Sequence, residues 1–299
     1  MSEKTASVEE MEGVAEVHRF GVGPPRLLIE VPHGATERAH FDAIASLLES
    51  PLPSRLEQFF FVNTDFAAPE IAFRVASLLS SSRKRAHERG VVVVRALVPR
   101  TFVDLNRSID PGAAAGMTPG LPPYITAPAD RELLSGLHRR YSEGVAALYS
   151  EVCGAGGLAV TLHTYSPRSV EVGVDADIVT SLRAAYRPAT YSQWAVRPPV
   201  DFITKDSEGR DLSPPGLVAA LHEAYARIGV ESGENATYHL HPATAGYAFA
   251  ARFPGQVLCA EFRRDLAGAP WRPFSPGVVG ARKVAELAAP LAAELAERI

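Results

Sequence analysis

The sequence predicts a single α/β domain built on a mixed, largely parallel β-sheet with helices on both faces. Short, predominantly apolar runs at residues 27–31, 91–94 and 158–163 are typical of strands buried on both sides of a sheet. Segments with helical spacing alternate with these runs, which indicates parallel strands joined by crossover helices. No internal repeat or linker interrupts the pattern. We therefore expect one catalytic domain over residues 14–299, preceded by a flexible tail over residues 1–13.

The remaining elements follow from local patterns along the chain. Apolar residues recur at helical spacing in five segments, residues 41–48, 67–79, 130–152, 214–228 and 276–299. Short strands are expected at residues 14–20 (as an edge strand), 100–107, 229–232 and 257–262, and several more within 178–213. Residues 110–123 are rich in glycine, proline and alanine, so they predict a flexible loop or lid.

Composition excludes several classes of function. The 299 residues carry 30 basic against 34 acidic side chains, a net charge of −4 that gives no indication of a nucleic-acid partner. No apolar run approaches the roughly 18 residues needed to span a bilayer, and the polar N-terminus does not resemble a signal peptide. Cys153 and Cys259 are too few for a disulfide framework and are interpreted as core residues. We expect a cytoplasmic protein without membrane contact, of undetermined oligomeric state.

Three predicted strands end in side chains that a zinc hydrolase uses. His33 follows the strand at 27–31, His163 ends another, and Glu261 is an acidic residue inside an apolar strand. A catalytic zinc needs three protein ligands and an open position for water, and a carboxylate must accept the proton of that water. His33 and His163 are therefore candidate ligands, with Glu37 or Asp65 as the third. Glu261 is the candidate general base, since a charge inside an apolar strand is costly without a role.

The segment over residues 100–107 concentrates further polar groups. Asp104 is suited to accept the second ring N–H of a ligating histidine. Asn106 and Arg107 are suited to bind a substrate carboxylate, the arginine as a bidentate fork. For this segment, a salt-bridge cluster at a strand end is the structural alternative. For Asp65, the structural alternative is capping of the helix that follows it.

Taken together, these motifs resemble the N-formylglutamate amidohydrolase family, a relative of the zinc carboxypeptidases and aminoacylases. The resemblance runs from about residue 26 to 266. It is carried by Pro32-His33-Gly34, Thr64-Asp65-Phe66, the run from Arg100 to Arg107, Leu162-His163-Thr164 and the strand that contains Glu261. It implies a phosphorylase/hydrolase-like, zinc carboxypeptidase-like fold and zinc-dependent hydrolysis of an amide bond.

The resemblance also implies roles for individual residues. Asp104 would hydrogen-bond to the first histidine, and Asn106 with Arg107 would bind a carboxylate. Asp65 matches a recurrent position of the family, whereas Glu37 resembles the carboxypeptidase pattern with one extra residue. Independently of the resemblance, we expect Arg100 or Arg168 to polarise the scissile carbonyl.

Further candidate substrate contacts come from the loop before the last strand. They are His239 and Tyr247. His239 has a second interpretation, because His239 and His241 are two residues apart and have the spacing of a metal-binding pair. The chain departs from the family at Thr161, where an acidic residue is common, and over residues 235–246. Both departures fall where a substrate would be recognised.

These expectations lead to one functional hypothesis and two alternatives. The hypothesis is a Zn²⁺-dependent amidohydrolase that cleaves a small N-acyl, N-formylglutamate-like amino acid. A carboxypeptidase-like peptidase on short peptides is the first alternative, and an open groove would favour it over a closed pocket. The second alternative is a non-catalytic binding protein of the same fold.

Overall fold

A single mixed sheet organises the protein, whose computed structural model describes residues 7–81, 89–110 and 117–299. Within these residues the strands are β1 (Ser7–Met11), β2 (Ala15–Phe20), β3 (Pro25–Val31), β4 (Gly90–Ala96), β5 (Leu158–Tyr165), β6 (Val200–Ile203), β7 (Ser232–Glu234) and β8 (Val257–Arg263). Their order across the sheet is β1-β2-β4-β3-β5-β8-β6-β7. The central strands β4, β3, β5 and β8 are mutually parallel, and antiparallel pairs occur toward both edges. The predicted fold class is confirmed.

Helices cover both faces of the sheet. They are α1 (Arg38–Ala45), α2 (Leu56–Asn63), α3 (Ala68–Ser81), α4 (Pro128–Val152), α5 (Ile178–Ala185), α6 (Pro188–Tyr191), α7 (Leu217–Arg227), α8 (Ala245–Arg252) and α9 (Ala281–Ala296), with a 3₁₀ turn at Arg264–Leu266. The five segments with helical spacing become α1, α3, α4, α7 and α9. In the part of the chain described, no helix is long and apolar enough to cross a membrane.

Alternation along the central strands divides the interior into two cores. In β3, Leu27, Ile29 and Val31 pack against α3, α7 and α9, while Leu28 faces the core that contains α2, α4 and α5. Successive side chains of a strand point to opposite faces, so a strand buried on both faces is apolar throughout. Glu30 interrupts this pattern in β3 and is nonetheless buried. Both cysteines are free and buried, as expected.

Several local expectations differ from the structure. Ser7–Met11, part of the predicted tail, forms the edge strand β1, so β2 is an inner strand; residues 1–6 lie outside the described residues. Residues 178–213 contain α5 and α6 besides β6, because Ile178, Val179 and Leu182 form an apolar helical stripe. Residues 100–106 form turns in place of a strand. Of the predicted loop at 110–123, residues 111–116 are not described.

The topology determines where a site can form. From β3 the chain crosses to β4 on one side and later to β5 on the other, so the strand order reverses beside β3. Open α/β sheets place ligands at such a switch point, outside the carboxyl ends of the strands. His33 follows β3 there, and His163 and Glu261 lie near the carboxyl ends of β5 and β8.

Candidate active site

The sheet register brings the strand-end residues together. β5 and β8 are parallel neighbours, and His163 is the direct partner of Glu261 in their ladder. β3 lies on the other side of β5, which brings His33 to the same edge. The sequence prediction that separate strands deliver these three side chains to one place agrees with this geometry.

Two histidines and an aspartate form a buried cluster at this edge. Asp65 Oδ2 lies 2.8 Å from His163 Nδ1 and 3.2 Å from His33 Nδ1. All three side chains are buried, and the two imidazole centroids are 5.0 Å apart. Among the described residues, these three form the one group of histidine, cysteine and carboxylate side chains close enough to hold a metal ion, with candidate ligand atoms within 4.8 Å of one another.

The donor set and its spacing fit a divalent metal. Ligands of a tetrahedral zinc lie roughly 2.0–2.2 Å from the metal and therefore about 3.3–3.5 Å from each other. The cluster distances of 2.8 and 3.2 Å are near these separations. His33 uses its other ring nitrogen, Nε2, to bond Asp104, so its Nδ1 is the nitrogen left for a metal. Zinc, a common partner of imidazole and carboxylate, is compatible with these residues.

Pairing within the cluster shifts the pKa values of Asp65 and His163. Burial alone would raise the pKa of Asp65, but the charges and hydrogen bonds of His33 and His163 lower it well below its usual value. Burial disfavours the charged form of His163, and the hydrogen bond to Asp65 with the charge of Glu261 outweighs this and raises the pKa of the imidazole. Mutual pairing therefore stabilises charges that would be costly alone.

Asp104 orients both the first histidine and an arginine. Its Oδ1 lies 2.7 Å from His33 Nε2 and accepts the backbone N–H of Asn106 at 3.0 Å. Its Oδ2 accepts Arg100 Nη2 at 2.8 Å. Burial would raise the pKa of Asp104, yet Arg100 and His33 hold it well below the ordinary value. Arg100 also approaches Asp65, with 3.9 Å between Nη1 and Oδ1.

Glu261 stands beside the cluster with an environment suited to proton transfer. Its side chain is partly buried and lines the central cavity next to His163. Burial raises the pKa of this carboxyl group, and the neighbouring His163 partly offsets the rise. A general base works best when its pKa is moved toward neutrality.

Arg107 has hydrogen-bonding capacity that the protein does not use. Its Nη1 donates to the backbone oxygen of Asn106 at 3.2 Å, while its buried Nε has no partner among the described residues. Burial lowers the pKa of the guanidinium, although Asp104 opposes this. Native proteins rarely leave buried polar atoms unpaired, so this Nε is available to donate a hydrogen bond to a group in the cavity. The Asn106 carboxamide is held beside it by the backbone N–H of Gly246 at 3.1 Å.

A large cavity of about 900 Å³ surrounds these residues. Its lining includes His33, Asp65, Arg100, Asp104, Asn106, Arg107, His163, His239 and Glu261. Sites for drug-sized ligands occupy roughly 300–1,000 Å³, so this cavity is at the upper end of that range. The structure therefore brings most of the predicted site residues to one surface.

Three predicted site residues lie elsewhere. Glu37 is 62% exposed, and its carboxylate accepts Arg95 Nη2 at 3.0 Å, away from the cluster. Arg168 donates to the carbonyl oxygens of Ser192 and Trp194 at 3.2 and 2.6 Å, which ties its loop to the segment after α6. Tyr247, in the first turn of α8, does not line the cavity.

Several residues that line the cavity were not predicted from the sequence, among them Arg197 and Tyr238. Arg197 donates to the Tyr238 hydroxyl at 2.7 Å and stacks on the ring of Tyr238 with 5.3 Å to the centroid. Both lie close to Glu261. Their sequence neighbourhood, a proline-rich stretch for Arg197 and a polar loop for Tyr238, contains no periodic pattern that would have identified them.

Glu30 is a second unpredicted feature. Its carboxylate accepts Tyr141 Oη at 3.0 Å and Tyr149 Oη at 2.8 Å, and the side chain is almost inaccessible to solvent. Burial raises the pKa of Glu30, while the two tyrosine hydroxyls lower it. Glu30 and Arg107 also border a smaller cavity of about 250 Å³. A charge at this strand position breaks the apolar run and was the available sequence signal.

Comparisons with known proteins support the fold. No protein-family model and no curated protein sequence matches this chain. Among solved structures, the N-formylglutamate amidohydrolase from Ralstonia eutropha JMP134 is 16% identical, and the match covers 96% of this chain and 100% of that one with a TM-score of 0.58. Bovine thrombin-activatable fibrinolysis inhibitor, solved with tick carboxypeptidase inhibitor, is 8% identical, with coverages of 98% and 90% and a TM-score of 0.52. At these identities the matches show a shared amidohydrolase- and carboxypeptidase-like fold.

Proposed function

We propose that this protein is a zinc-dependent amidohydrolase of the N-formylglutamate amidohydrolase type, acting on a small N-acyl amino acid. The observation that carries the proposal is the buried His33–Asp65–His163 cluster with Glu261 beside it at the switch point of the sheet. The likeness of the fold to an N-formylglutamate amidohydrolase supports the same class of reaction.

In this proposal His33, Asp65 and His163 are the metal ligands. Asp65 is preferred to Glu37 because its carboxylate contacts both histidines, whereas Glu37 pairs with Arg95 in solvent. Zinc held by these residues would supply Lewis acidity, which acidifies a water molecule and polarises a carbonyl group.

The other residues have separate tasks. Glu261 accepts the proton of the attacking water and delivers it to the leaving nitrogen, since its raised pKa suits a group that takes up and releases a proton. Arg100, fixed by Asp104, presents its guanidinium to the carbonyl oxygen where negative charge develops. Arg107, with an unpaired buried Nε, and Asn106 bind the substrate carboxylate.

A carboxypeptidase-like activity on short peptides is the second candidate. The cavity of about 900 Å³ has room for more than a formylated amino acid, and this observation favours it. The two activities share the metal ligands, the base and the carboxylate site. They differ in what lies on the acyl side of the scissile bond.

Metal analysis and a substrate screen test the proposal. The purified protein should hold one zinc per chain and release amine from N-formyl, N-acetyl or longer N-acyl amino acids. Glu261→Gln should retain zinc and lower kcat by roughly 10²–10⁴-fold, because it removes the proton acceptor and preserves the shape. Glu143→Gln, a matched change on the exposed side of α4, should leave kcat unaltered.

Two results would refute it. Failure of the folded protein to bind zinc when His33 and His163 are intact would remove the metal site. A zinc-loaded protein that releases no amine from any N-acyl amino acid, but cleaves unblocked peptides, would establish the second candidate.

A further inference from the structure

The two sides of the central cavity differ in chemistry. On one side, Asn106 and Arg107 are hydrogen-bonded to the start of α8. Arg107 forms a β-bridge with Thr244, and Asn106 Oδ1 accepts the N–H of Gly246. On the other side the cavity is lined by α2, α5 and the segment 170–174. The first side carries charged and hydrogen-bonding groups, and the second contributes mainly apolar side chains, with Asn63 and Glu171 as polar exceptions.

The apolar side, here named the acyl wall, is formed by side chains of three elements. They are Phe59 and Val62 of α2, Leu182 of α5, and Val170, Val172 and Val174. The three valines are partly buried and pack against the core that contains α2 and α5, while Glu171 and Gly173 between them are exposed and also border the cavity. α2 and α5 are joined beneath this segment by Arg183 Nε, which donates to Gln58 Oε1 at 2.8 Å.

The acyl wall and the carboxylate side approach the metal-binding cluster from different directions. α2 ends at Asn63 and continues directly into Asp65, so the wall adjoins the Asp65 side of the cluster. Asn106 approaches from the His163 side, with 3.4 Å between its Nδ2 and His163 Nε2. A substrate held by its carboxylate at Arg107 therefore directs its acyl group across the cluster toward the acyl wall.

A formyl group would leave this wall without a contact. Apolar cavity walls are the usual source of affinity for apolar groups, and the three valines of this wall are only partly buried by the protein itself. The cavity of about 900 Å³ is open and large enough for a much longer group than a single carbon.

We propose that the substrate's acyl group is large and apolar, an aliphatic chain of several carbons or an aromatic acyl group. This inference rests on the proposed amidohydrolase function and specifies its substrate class. The substrate remains a single N-acylated amino acid, with an acyl group longer than formyl. A peptidase substrate would instead place polar peptide groups against the acyl wall.

A chain-length series with one amino acid tests the inference. Zinc-loaded protein is assayed with the formyl, acetyl, hexanoyl and octanoyl derivatives, and binding of each to Glu261→Gln is measured by calorimetry. Full burial of a methylene should raise kcat/KM by roughly fourfold. Octanoyl has six more methylenes than acetyl, so even a gain of roughly twofold for each should make octanoyl exceed acetyl by roughly 60-fold. A glycylglycyl derivative of similar length should be a poor substrate.

The outcomes separate this inference from the proposed function. Cleavage of formyl and acetyl derivatives at rates equal to or above octanoyl would overturn the inference and leave the amidohydrolase standing. Equal cleavage of the glycylglycyl derivative would also overturn it. If no derivative is cleaved, the proposed amidohydrolase function is refuted. The calorimetry then tests the acyl preference by itself, and equal affinity for the acetyl and octanoyl derivatives overturns that preference.

A pair of variants ties the preference to the acyl wall. Val172→Asp should lower the octanoyl-to-acetyl ratio of kcat/KM at least tenfold. Val22→Asp, at a site 72% exposed in the turn before the amino end of β3, away from the strand carboxyl ends that carry the cavity, should leave the ratio as in wild type. Should Val172→Asp not fold, Val172→Thr keeps the shape, replaces one methyl group by a hydroxyl and should lower the ratio about threefold. An unchanged ratio in a folded Val172 variant would refute the assignment.

Discussion

Replacing Asp104 by asparagine should weaken zinc binding without removing a ligand. In the structure Asp104 Oδ1 lies 2.7 Å from His33 Nε2, so the aspartate holds that ring with Nδ1 directed at Asp65 and His163. Asparagine keeps the size but loses the negative charge that attracts the ring N–H. Its amide can also turn an NH₂ group toward the imidazole, which favours the wrong ring orientation.

The size of the effect follows from this single contact. Changes to the hydrogen-bond partners of metal-bound histidines typically cost 10–100-fold in metal affinity. This corresponds to about 1.4–2.7 kcal/mol. We expect a loss near the upper end of that range, because both groups are buried and Asp104 is ionised, with its pKa held low by Arg100 and His33.

Competition with a chelator of known zinc affinity at neutral pH measures the dissociation constant directly. Circular dichroism must show an unchanged fold, since the variant also weakens the 2.8 Å ion pair with Arg100. Glu37→Gln is the control: its carboxylate binds Arg95, so its zinc affinity should equal that of wild type. An Asp104→Asn protein with zinc affinity within about twofold of wild type would refute the role of Asp104.

Three further predictions concern binding and stability. Arg107→Lys loses the planar fork for a carboxylate and should raise KM with little change in kcat; a lowered melting temperature with unchanged KM would indicate a structural role. Tyr149→Phe removes a hydroxyl 2.8 Å from Glu30 and should lower the free energy of unfolding in urea by about 1–3 kcal/mol; a loss below about 0.5 kcal/mol would contradict a strong hydrogen bond. Backbone N–H groups of residues 49–50 lower the pKa of Asp130, so this group stabilises the fold above its unfolded pKa near 3.8 and the benefit disappears as the pH falls below it. The melting-temperature difference between wild type and Asp130→Asn should therefore be largest at neutral pH and shrink below about pH 4; a constant difference would exclude this linkage.

Much of the fold was determined by local sequence. The apolar runs that became β3, β4, β5 and β8 indicate strands buried on both faces, because a parallel sheet covered by helices offers no solvent-facing side. The position of His33 just after one such strand, and of His163 and Glu261 within two others, predicted a shared edge, since parallel strands end on the same side.

The same local reasoning could not choose among the carboxylates and arginines of the site. Glu37 lies four residues from His33 and Asp65 lies 32 residues away, yet the distant one contacts the histidines. Arg95, on the neighbouring strand β4, draws Glu37 outward.

Glu30 became a buried, hydrogen-bonded carboxylate only because α4 delivers two tyrosines from 111 and 119 residues later in the chain. Burial requires the residues of a strand to be apolar, so the sequence of each short segment is enough to indicate a buried strand. Which polar groups meet is decided by helices and loops that pack from distant parts of the chain, and no single segment carries that information.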